Sequence, residues 1–328
     1  MTPELSIVIP VHNEAPNLEA LCRELTEALE RLGRPYEVIL VDDGSTDESF
    51  AILERCQARD ARLRVIQFRR NFGQTAAFAA GFAEARGALI VTADADLQND
   101  PRDIAAMVAR LDEGYDIVCG WRKDRKDPFL NRRLPSMLAN GLISWATGVH
   151  LHDYGCSLKV FRAEVVKPLR LYGEMHRFLP ALASEMGVRI AEMPVNHRPR
   201  LHGRSKYGIS RTLRVCLDLI TVKFLLSYST RPLQVFGSVG TILGVIGSAL
   251  LLWLAWLKIV GGQEIGRHQP LMFLATLLVI TAVQLVVLGL LAEVQARTYH
   301  ESQRKPIYAI RRILQAEERA GAAPAPRR

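Results

Sequence analysis

The feature that most constrains the fold is a regular alternation of short apolar segments with amphipathic ones over the first hundred residues. Strands are predicted at Leu5–Pro10, Tyr36–Val41, Leu63–Gln67 and Leu89–Thr92. Helices are predicted between them, at Asn17–Leu32, Glu48–Arg59 and Gln74–Ala85. This alternation favours an α/β fold, a Rossmann-like, mostly parallel sheet with helices on both faces. Ligands of such sheets bind beyond the carboxyl ends of the strands.

Polar residues follow three of these strands at the point where each strand ends. His12 and Glu14 follow the first, Asp42 and Asp43 end the second, and Asp94 and Asp96 follow the fourth; these six side chains are expected at one edge of the sheet. The carboxylates after the first two strands can accept hydrogen bonds from a base and a ribose. For Asp42-Asp43-Gly44-Ser45, turn chemistry and helix capping are the alternative.

The sequence Asp94-Ala95-Asp96-Leu97-Gln98 predicts a divalent metal site. Alternate residues of an extended chain point the same way, so Asp94, Asp96 and Gln98 are expected to share a face. Carboxylate and amide oxygens suit Mg²⁺ or Mn²⁺, which can hold a pyrophosphate. The chain has no glycine-rich phosphate loop, which favours a metal for this purpose. A solvated acidic turn is the alternative.

The composition limits the classes of partner that the chain can bind and the redox state of its compartment. The net charge of +8 is compatible with nucleic acid, anionic lipid or phosphorylated substrates. The basic residues flank apolar runs and do not interleave with aromatic ones, which argues against nucleic acid. Five widely separated cysteines predict a reducing compartment without structural zinc. The strand pattern begins almost at the N-terminus, so no signal peptide is expected.

Two apolar runs, Val235–Val260 and Leu271–Ala292, are long enough to span a bilayer core of roughly 30 Å. The short connector predicts a transmembrane hairpin, with a buried core hairpin as the alternative. Basic residues cluster on the outer flanks, at Arg211, Arg214, Lys223, Arg231, Arg297, Arg304, Lys305, Arg311 and Arg312. The positive-inside rule then predicts that residues 1–210 and both termini lie in the cytoplasm. We expect a multi-pass protein of the inner membrane.

These patterns predict four regions. They are a cytoplasmic α/β domain at 1–210, an amphipathic interface helix at 211–232, two transmembrane helices at 233–293, and a cytoplasmic C-terminal segment at 294–328. The tail after about Ala316 is predicted to be disordered. The segment Phe129–Val149 is a second candidate for an interface helix, although both amphipathic helices could equally be ordinary core helices.

Three motifs in this order, Val8–Glu14, Val41–Asp47 and Asp94–Gln98, resemble the signature of the GT-A-fold, family 2 glycosyltransferases. The chain also carries Arg69–Gln74, Asp112–Asp116, Asp153–Cys156 and Gly203–Tyr207. With these segments it is similar to the polyprenyl-phosphate glycosyltransferases over residues 5 to about 312. His12 departs from the pattern, since this group usually has tyrosine there.

The resemblance implies inverting transfer of a sugar from a nucleotide sugar to the phosphate of undecaprenyl or dolichyl phosphate. A UDP-sugar is the favoured donor, and GDP-mannose is the alternative. The nucleotide sugar is assigned to Pro10, His12, Glu14, Asp42, Asp43, Asp94, Ala95, Asp96, Arg200 and Lys206. The acceptor phosphate is assigned to Arg122, Arg132 and Ser136, the metal to Asp96, Gln98 and Asp94, and catalysis to Asp94, Asp96 and Arg122.

Two other functions are compatible with a fold of this kind. A processive polysaccharide synthase of this fold carries a Gln-x-x-Arg-Trp motif and further spans, and this sequence has neither. A non-catalytic membrane scaffold is disfavoured by the intact set of Asp94, Asp96 and Gln98. The sequence leaves the oligomeric state open, with a homotetramer among the candidates. No general base is expected, because an acceptor phosphate is already anionic at neutral pH.

Overall fold

The computed structural model describes residues 2–123, 140–141, 143–144, 147–171, 173, 175–199, 232–260, 268–302 and 308–315. These residues form two compact units, a sheet with its helices and a pair of long apolar helices. Several predicted features lie outside the described residues: Arg132, Ser136, Arg200, Lys206, the interface helix at 211–232, most of 129–149, and the tail after Ala316.

In the described residues the sheet has eight strands. They are β1 (Leu5–Val11), β2 (Tyr36–Asp42), β3 (Leu63–Phe68), β4 (Leu89–Thr92), β5 (Ile117–Trp121), β6 (Lys159–Arg162), β7 (Ile190–Pro194) and β8 (Ile310–Leu314). The order across the sheet is β7-β5-β6-β4-β1-β2-β3-β8. β6 runs antiparallel to β4 and β5, and β8 runs antiparallel to β3. The remaining pairs are parallel, so the predicted mostly parallel sheet is confirmed.

Helices connect the strands of this unit. They are α1 (Ala15–Leu32), α2 (Ser49–Arg59), α3 (Gln74–Glu84), α4 (Asp103–Asp112), α5 (Ala163–Val166) and α6 (Leu179–Ser184), with a 3₁₀ turn at Met175–Phe178. Leu18, Leu21 and Leu25 recur at helical spacing along α1 and are buried in the core. That stripe fixes which face of α1 meets the sheet, since these side chains avoid water only there.

Residues 310–314, within the predicted C-terminal segment 294–328, form a strand of the same sheet as β1 to β7. β8 pairs with the edge strand β3, and Tyr308 stacks on Phe68 with ring centroids 5.3 Å apart. Arg312 donates to Glu54 over 2.9 Å. Arg311 and Arg312, counted in the sequence as a basic membrane flank, are residues of this strand. The pairing covers the backbone groups that β3 would otherwise expose at the sheet edge.

The second unit consists of α7 (Pro232–Ile259) and α8 (Gln269–Ser302), which form the predicted hairpin. Within the described residues, the spans Phe236–Ile259 of α7 and Gln269–Leu291 of α8 are long and apolar enough to cross a membrane. Glycines let the helices approach closely. A Cβ at Gly240 or Gly247 would lie 2.9 Å from the carbonyl oxygens of Ala282 and Ala275, respectively. Small residues at such crossings are typical of helices that pack in lipid.

Candidate active site

The predicted polar residues meet at one edge of the sheet because β1 lies between β2 and β4. In the parallel register Val11 pairs with Asp42, and Val8 pairs with Thr92. The segments that follow β1, β2 and β4 therefore leave the sheet side by side. The site residues on these segments, from Pro10 to Gln98, lie together at this edge.

The turns after β1 and β2 are joined by hydrogen bonds. The Asn13 N–H donates to Ser45 Oγ over 3.0 Å, and the Thr46 N–H donates to Asn13 Oδ1 over 2.8 Å. His12 Nδ1 lies 3.0 Å from the carbonyl oxygen of Asp43. These contacts explain why the two motifs occur together in the sequence, since each turn completes the backbone hydrogen bonding of the other.

Asp43 fixes the loop that precedes α3. Its two carboxylate oxygens accept the N–H groups of Phe72 and Gly73 at 2.7 and 2.9 Å. Burial raises the pKa of Asp43, and these two donors partly oppose the rise. Gly44 beside it has a φ of 64°, and a Cβ there would meet the Arg70 carbonyl carbon at 2.4 Å. Only glycine fits this position. The contact of Asp43 with nucleotide stays a prediction.

Asp42 is fully buried at the end of β2. Its Oδ1 accepts the Ser45 N–H over 3.1 Å, whereas its Oδ2 has no hydrogen-bond partner among the described residues. Burial raises the pKa of Asp42, because the ionised form loses its hydration. A buried carboxylate oxygen of this kind requires a donor, and the amide or hydroxyl groups of a nucleotide would supply one.

Glu14 stands at the start of α1, where its carboxylate accepts the side-chain amide of Asn17 over 2.7 Å. The Glu14 N–H donates to Ser49 Oγ over 2.9 Å, which ties α1 to the start of α2. Pro10 is half-buried near the end of β1, and Ala95 is buried between Asp94 and Asp96 in the sequence. Nucleotide contacts by these three residues remain predictions.

The acidic loop after β4 is bent, which corrects the expectation that the extended alternation continues to Gln98. The strand ends at Thr92, and Leu97 adopts a left-handed φ of 60°. The Gln98 N–H donates to Asp96 Oδ1 over 3.1 Å, so a local side-chain to backbone bond closes the bend. Burial raises the pKa of Asp94, and the neighbouring charge of Asp96 raises it further. That Asp94 and Asp96 share one metal stays a prediction.

The donor set of this loop fits a hard divalent cation that also binds a ligand. Among the described residues no group of three or more His, Cys, Asp or Glu side chains is arranged to hold a metal. Two carboxylates and the Gln98 amide oxygen would leave coordination positions for diphosphate oxygens. Gln74 Nε2 donates to Asp94 Oδ1 over 2.8 Å and orients that carboxylate. A cation placed here would offset the repulsion between Asp94 and Asp96.

A polar segment after β7, missed by the sequence analysis, packs against the acidic loop. Gln98 Nε2 lies 3.4 Å from the Arg198 carbonyl oxygen and 3.5 Å from His197 Nε2. The Arg198 N–H donates back to the Gln98 carbonyl over 2.9 Å. Because a hundred residues separate the two segments, local sequence patterns gave no signal for this contact.

Arg122, predicted to bind the acceptor phosphate, forms a two-pronged ion pair with buried Asp153. Its Nε donates to Oδ2 over 2.7 Å, and its Nη2 donates to Oδ1 over 3.0 Å. The backbone N–H groups of His152 and Asp153 donate to Glu192, which holds this loop in place. Asp153 therefore orients the guanidinium at the end of β5. A contact between Arg122 and phosphate stays a prediction.

A small cleft of about 40 Å³ opens beside Asp94. It is lined by Gln74, Phe78, Thr92, Asp94, Tyr154, Gly155, Cys156, Ser157, Lys159, His176, Arg177 and Leu179. Asp94 is the lining residue that the sequence analysis assigned to the site. The 3₁₀ turn that contributes His176 and Arg177 is too short for a periodic pattern, so the sequence offered no signal for it.

Comparison with known proteins agrees with this geometry. Residues 6–170 match the model of glycosyl transferase family 2. The chain belongs to this family. The resemblance seen in the three motifs is thereby confirmed, and the protein is a glycosyltransferase. The matched region covers β1 to β6 and contains the acidic loop and Arg122.

Relatives match almost the whole chain. A dodecaprenyl-phosphate galacturonate synthase from Rhizobium johnstonii is 46% identical, covering 97% of this chain and 95% of the relative. An undecaprenyl-phosphate 4-deoxy-4-formamido-L-arabinose transferase from Shewanella sediminis is 39% identical, with the same two coverages of 97% and 95%.

Solved structures share the fold of the sheet unit. Glucosyl-3-phosphoglycerate synthase from Mycobacterium tuberculosis, in complex with Mn²⁺ and UDP-glucose, has a TM-score of 0.54 at 17% identity. The match covers 67% of this chain and 79% of that chain. Mannosyl-3-phosphoglycerate synthase from Rubrobacter xylanophilus has a TM-score of 0.55 at 16% identity, covering 68% and 74%. At these identities the likeness shows a common GT-A fold.

Proposed function

We propose that this glycosyltransferase moves a sugar from a nucleotide sugar to the phosphate of a membrane polyprenyl phosphate. The observation that carries the proposal is the position of Asp94 and Asp96 directly after β4, at the same edge of the sheet as buried Asp42 at the end of β2, where such sheets bind ligands. Relatives that match the full length are named for transfer to dodecaprenyl and undecaprenyl phosphate. The favoured donor is a UDP-sugar whose sugar is a uronic acid. GDP-mannose is the second candidate.

In this proposal, Asp96, Gln98 and Asp94 hold Mg²⁺ or Mn²⁺. The bound cation would stabilise the charge that develops on the departing nucleoside diphosphate. Asp42 accepts a hydrogen bond from the nucleotide, and the hydrogen bond from Gln74 keeps the Asp94 carboxylate in place. The acceptor phosphate attacks the anomeric carbon directly with inversion, as the resemblance implies.

The acceptor phosphate is held by Arg122, which Asp153 orients. Arg132 and Ser136 are proposed to complete this phosphate site, and Arg200 and Lys206 to contact the diphosphate. Arginine suits such a role because its planar guanidinium forms two parallel bonds to phosphate. The guanidinium balances part of the acceptor charge without the protein having to remove a proton from it.

An acceptor that resides in the membrane also explains why the chain has the apolar unit formed by α7 and α8. Both α7 and α8 are proposed to cross the inner membrane, with the sheet unit and both termini in the cytoplasm. Much of their surface is apolar and exposed, including Leu252 at 72% and Ile259 at 81%. Lipid would cover such surfaces, which water disfavours. A homotetramer remains one candidate assembly.

The proposal is tested with the purified full-length protein in detergent. It is mixed with undecaprenyl or dolichyl phosphate and, in turn, UDP-galacturonate, UDP-glucose, a UDP-aminoarabinose derivative and GDP-mannose, with Mg²⁺ or Mn²⁺. Mass spectrometry should detect one polyprenyl-phosphate sugar that requires both substrates. Tight binding of a nucleotide sugar without any glycolipid, across the whole panel, would favour the scaffold alternative.

A further inference from the structure

The loop at 69–73, between β3 and α3, packs directly against the turn that follows β2. The two backbones are in contact, because a Cβ on Gly44 would lie 2.4 Å from the Arg70 carbonyl carbon. The Phe72 N–H donates to Asp43 Oδ1 over 2.7 Å, so the loop also holds the carboxylate assigned to the nucleotide. A shift of this loop therefore displaces the Asp43 carboxylate or the turn that carries it.

The C-terminal strand β8 begins beside the same loop. The Arg69 N–H donates to the Ala309 carbonyl oxygen over 3.1 Å, next to the strand pair of Phe68 with Ile310. Tyr308 is half-buried, and its ring lies flat against that of Phe68, with centroids 5.3 Å apart and an angle of 10° between the planes. The start of the loop is therefore attached to the C-terminal segment by a backbone hydrogen bond and by a stacked pair of rings.

Phe68 connects this stacked pair to the turn. Its side chain is buried, and its ring meets the ring of Phe72 edge-on, with centroids 5.7 Å apart and an angle of 89°. The rings of Tyr308, Phe68 and Phe72 thus form a continuous aromatic series, and the last of these residues donates its N–H to Asp43. Because protein interiors are close-packed, removing the first ring leaves a space into which the other two can move.

We propose that Tyr308 is a positioning residue for the nucleotide sugar, because the aromatic series holds Asp43 and its turn in the conformation that binds the donor. The inference rests on the proposed function, which assigns the nucleotide to this turn, and adds a residue from the opposite end of the chain. Tyr308 acts through the loop and not by contact with the substrate. The acceptor is assigned to Arg122, at the end of β5 and on the other side of β1 in the sheet. The loss of Tyr308 should therefore affect the donor and spare the acceptor.

The test measures transfer kinetics of full-length variants in detergent. Tyr308→Ala should raise the KM for the UDP-sugar roughly three- to tenfold, with kcat and the KM for polyprenyl phosphate near wild type. Tyr308→Phe keeps the ring and should restore the donor KM. Phe72→Leu keeps the N–H bonded to Asp43 but removes its ring, so it should also raise the donor KM, and it tests the series even if Tyr308→Ala does not fold. Ile313→Ala is the matched control, since it shortens another apolar side chain of β8, opposite Ile66. Arg23→Met, at an exposed position of α1, controls for substitution in general.

Two further readouts do not depend on transfer. The N–H groups of Phe72 and Gly73, which Asp43 binds, should exchange with deuterium faster in Tyr308→Ala than in Ile313→Ala. Titration calorimetry with UDP and Mn²⁺ should show weaker binding to Tyr308→Ala alone. A donor KM equal to that of Ile313→Ala would overturn the inference, even with faster exchange, because the role of Tyr308 would then be merely structural. If wild type transfers no sugar to polyprenyl phosphate, yet Tyr308→Ala changes both the exchange and the UDP affinity, the proposed function fails and the inference stands.

Discussion

Replacing Asp100 with asparagine should weaken the loop that carries the metal ligands. Asp100 is buried and accepts hydrogen bonds from Arg102 Nη2 at 2.8 Å and Arg102 Nε at 3.0 Å. Arg198 Nη2 lies 2.9 Å from its Oδ1. Since the Arg198 backbone also pairs with Gln98, Asp100 clamps the acidic loop to the segment after β7. Asparagine removes the charge and half of the acceptor capacity.

The stability that the charge of Asp100 contributes can be worked out from its pKa. Burial by itself would raise it, but the hydrogen bonds from Arg102 and Arg198 outweigh burial and lower the pKa to about 2. Against an ordinary value of about 3.9, and allowing for the exposed position of Arg102, the charge contributes roughly 2 kcal/mol. Because the folded-state pKa is depressed, this stability is present above about pH 4 and is lost as the pH falls through 2.

Hydrogen exchange read by mass spectrometry can measure this loss of stability in the full-length protein. At pH 7, amides of β4 and β5 in Asp100→Asn should exchange roughly thirtyfold faster than in wild type, after correction for intrinsic rates. The ratio of the exchange rates of the variant and the wild type should fall as the pH is lowered towards 2.5. Asp112→Asn is the control, since the partly exposed pair of Arg34 with Asp112 should contribute less than about 1 kcal/mol. Equal protection of wild type and Asp100→Asn at pH 7 would refute the reasoning.

Three further outcomes are expected. Asp96→Asn should abolish turnover, because a bound metal stabilises the charge of the transition state by several kcal/mol. Circular dichroism should show an intact fold, and full activity of the variant in EDTA would exclude the metal site. Tyr308→Ala should cost about 1 kcal/mol in thermal unfolding through the lost stack on Phe68, whereas an unchanged melting temperature would show that β8 docks without it. A cysteine at Gln263 should react with an impermeant maleimide in intact cells, and labelling at Glu318 instead would reverse the proposed topology.

The strands and helices around the site could be predicted because their signals are local. β4 has the predicted bounds, Leu89–Thr92, and β1 extends one residue beyond its predicted end. A short buried strand followed by acid carries its information within a few residues. The grouping of residues after β1, β2 and β4 then followed from the general geometry of parallel sheets.

Long-range pairing could not be predicted in the same way. β6 inserts antiparallel between β4 and β5, and β8 joins the sheet from the far end of the chain. The segment Ile-Arg-Arg-Ile-Leu in β8 is dominated locally by its charges, which suggested a membrane flank. Its role depends on the exposed edge of β3, more than two hundred residues earlier. Residue patterns within a window contain no record of such partners.

Parts of the site depended on contacts of this kind. Arg122 was assigned to phosphate from its motif, but its partner Asp153 lies 31 residues away. Asp43 was assigned to nucleotide, yet its oxygens bind the loop at Phe72 and Gly73. The bend at Leu97 was missed because leucine rarely adopts a left-handed φ. Each case reflects a tertiary hydrogen bond or backbone conformation that side-chain type alone does not specify.

The most direct test of the account is the transfer of radiolabelled sugar from a UDP-sugar into the organic phase, with polyprenyl phosphate as acceptor. Wild-type protein with Mn²⁺ should produce labelled lipid only when the acceptor is present. The label should disappear with EDTA and with Asp96→Asn, while Arg23→Met should match wild type. Labelled lipid formed at the wild-type rate by Asp96→Asn, or in the absence of any divalent cation, would contradict the account.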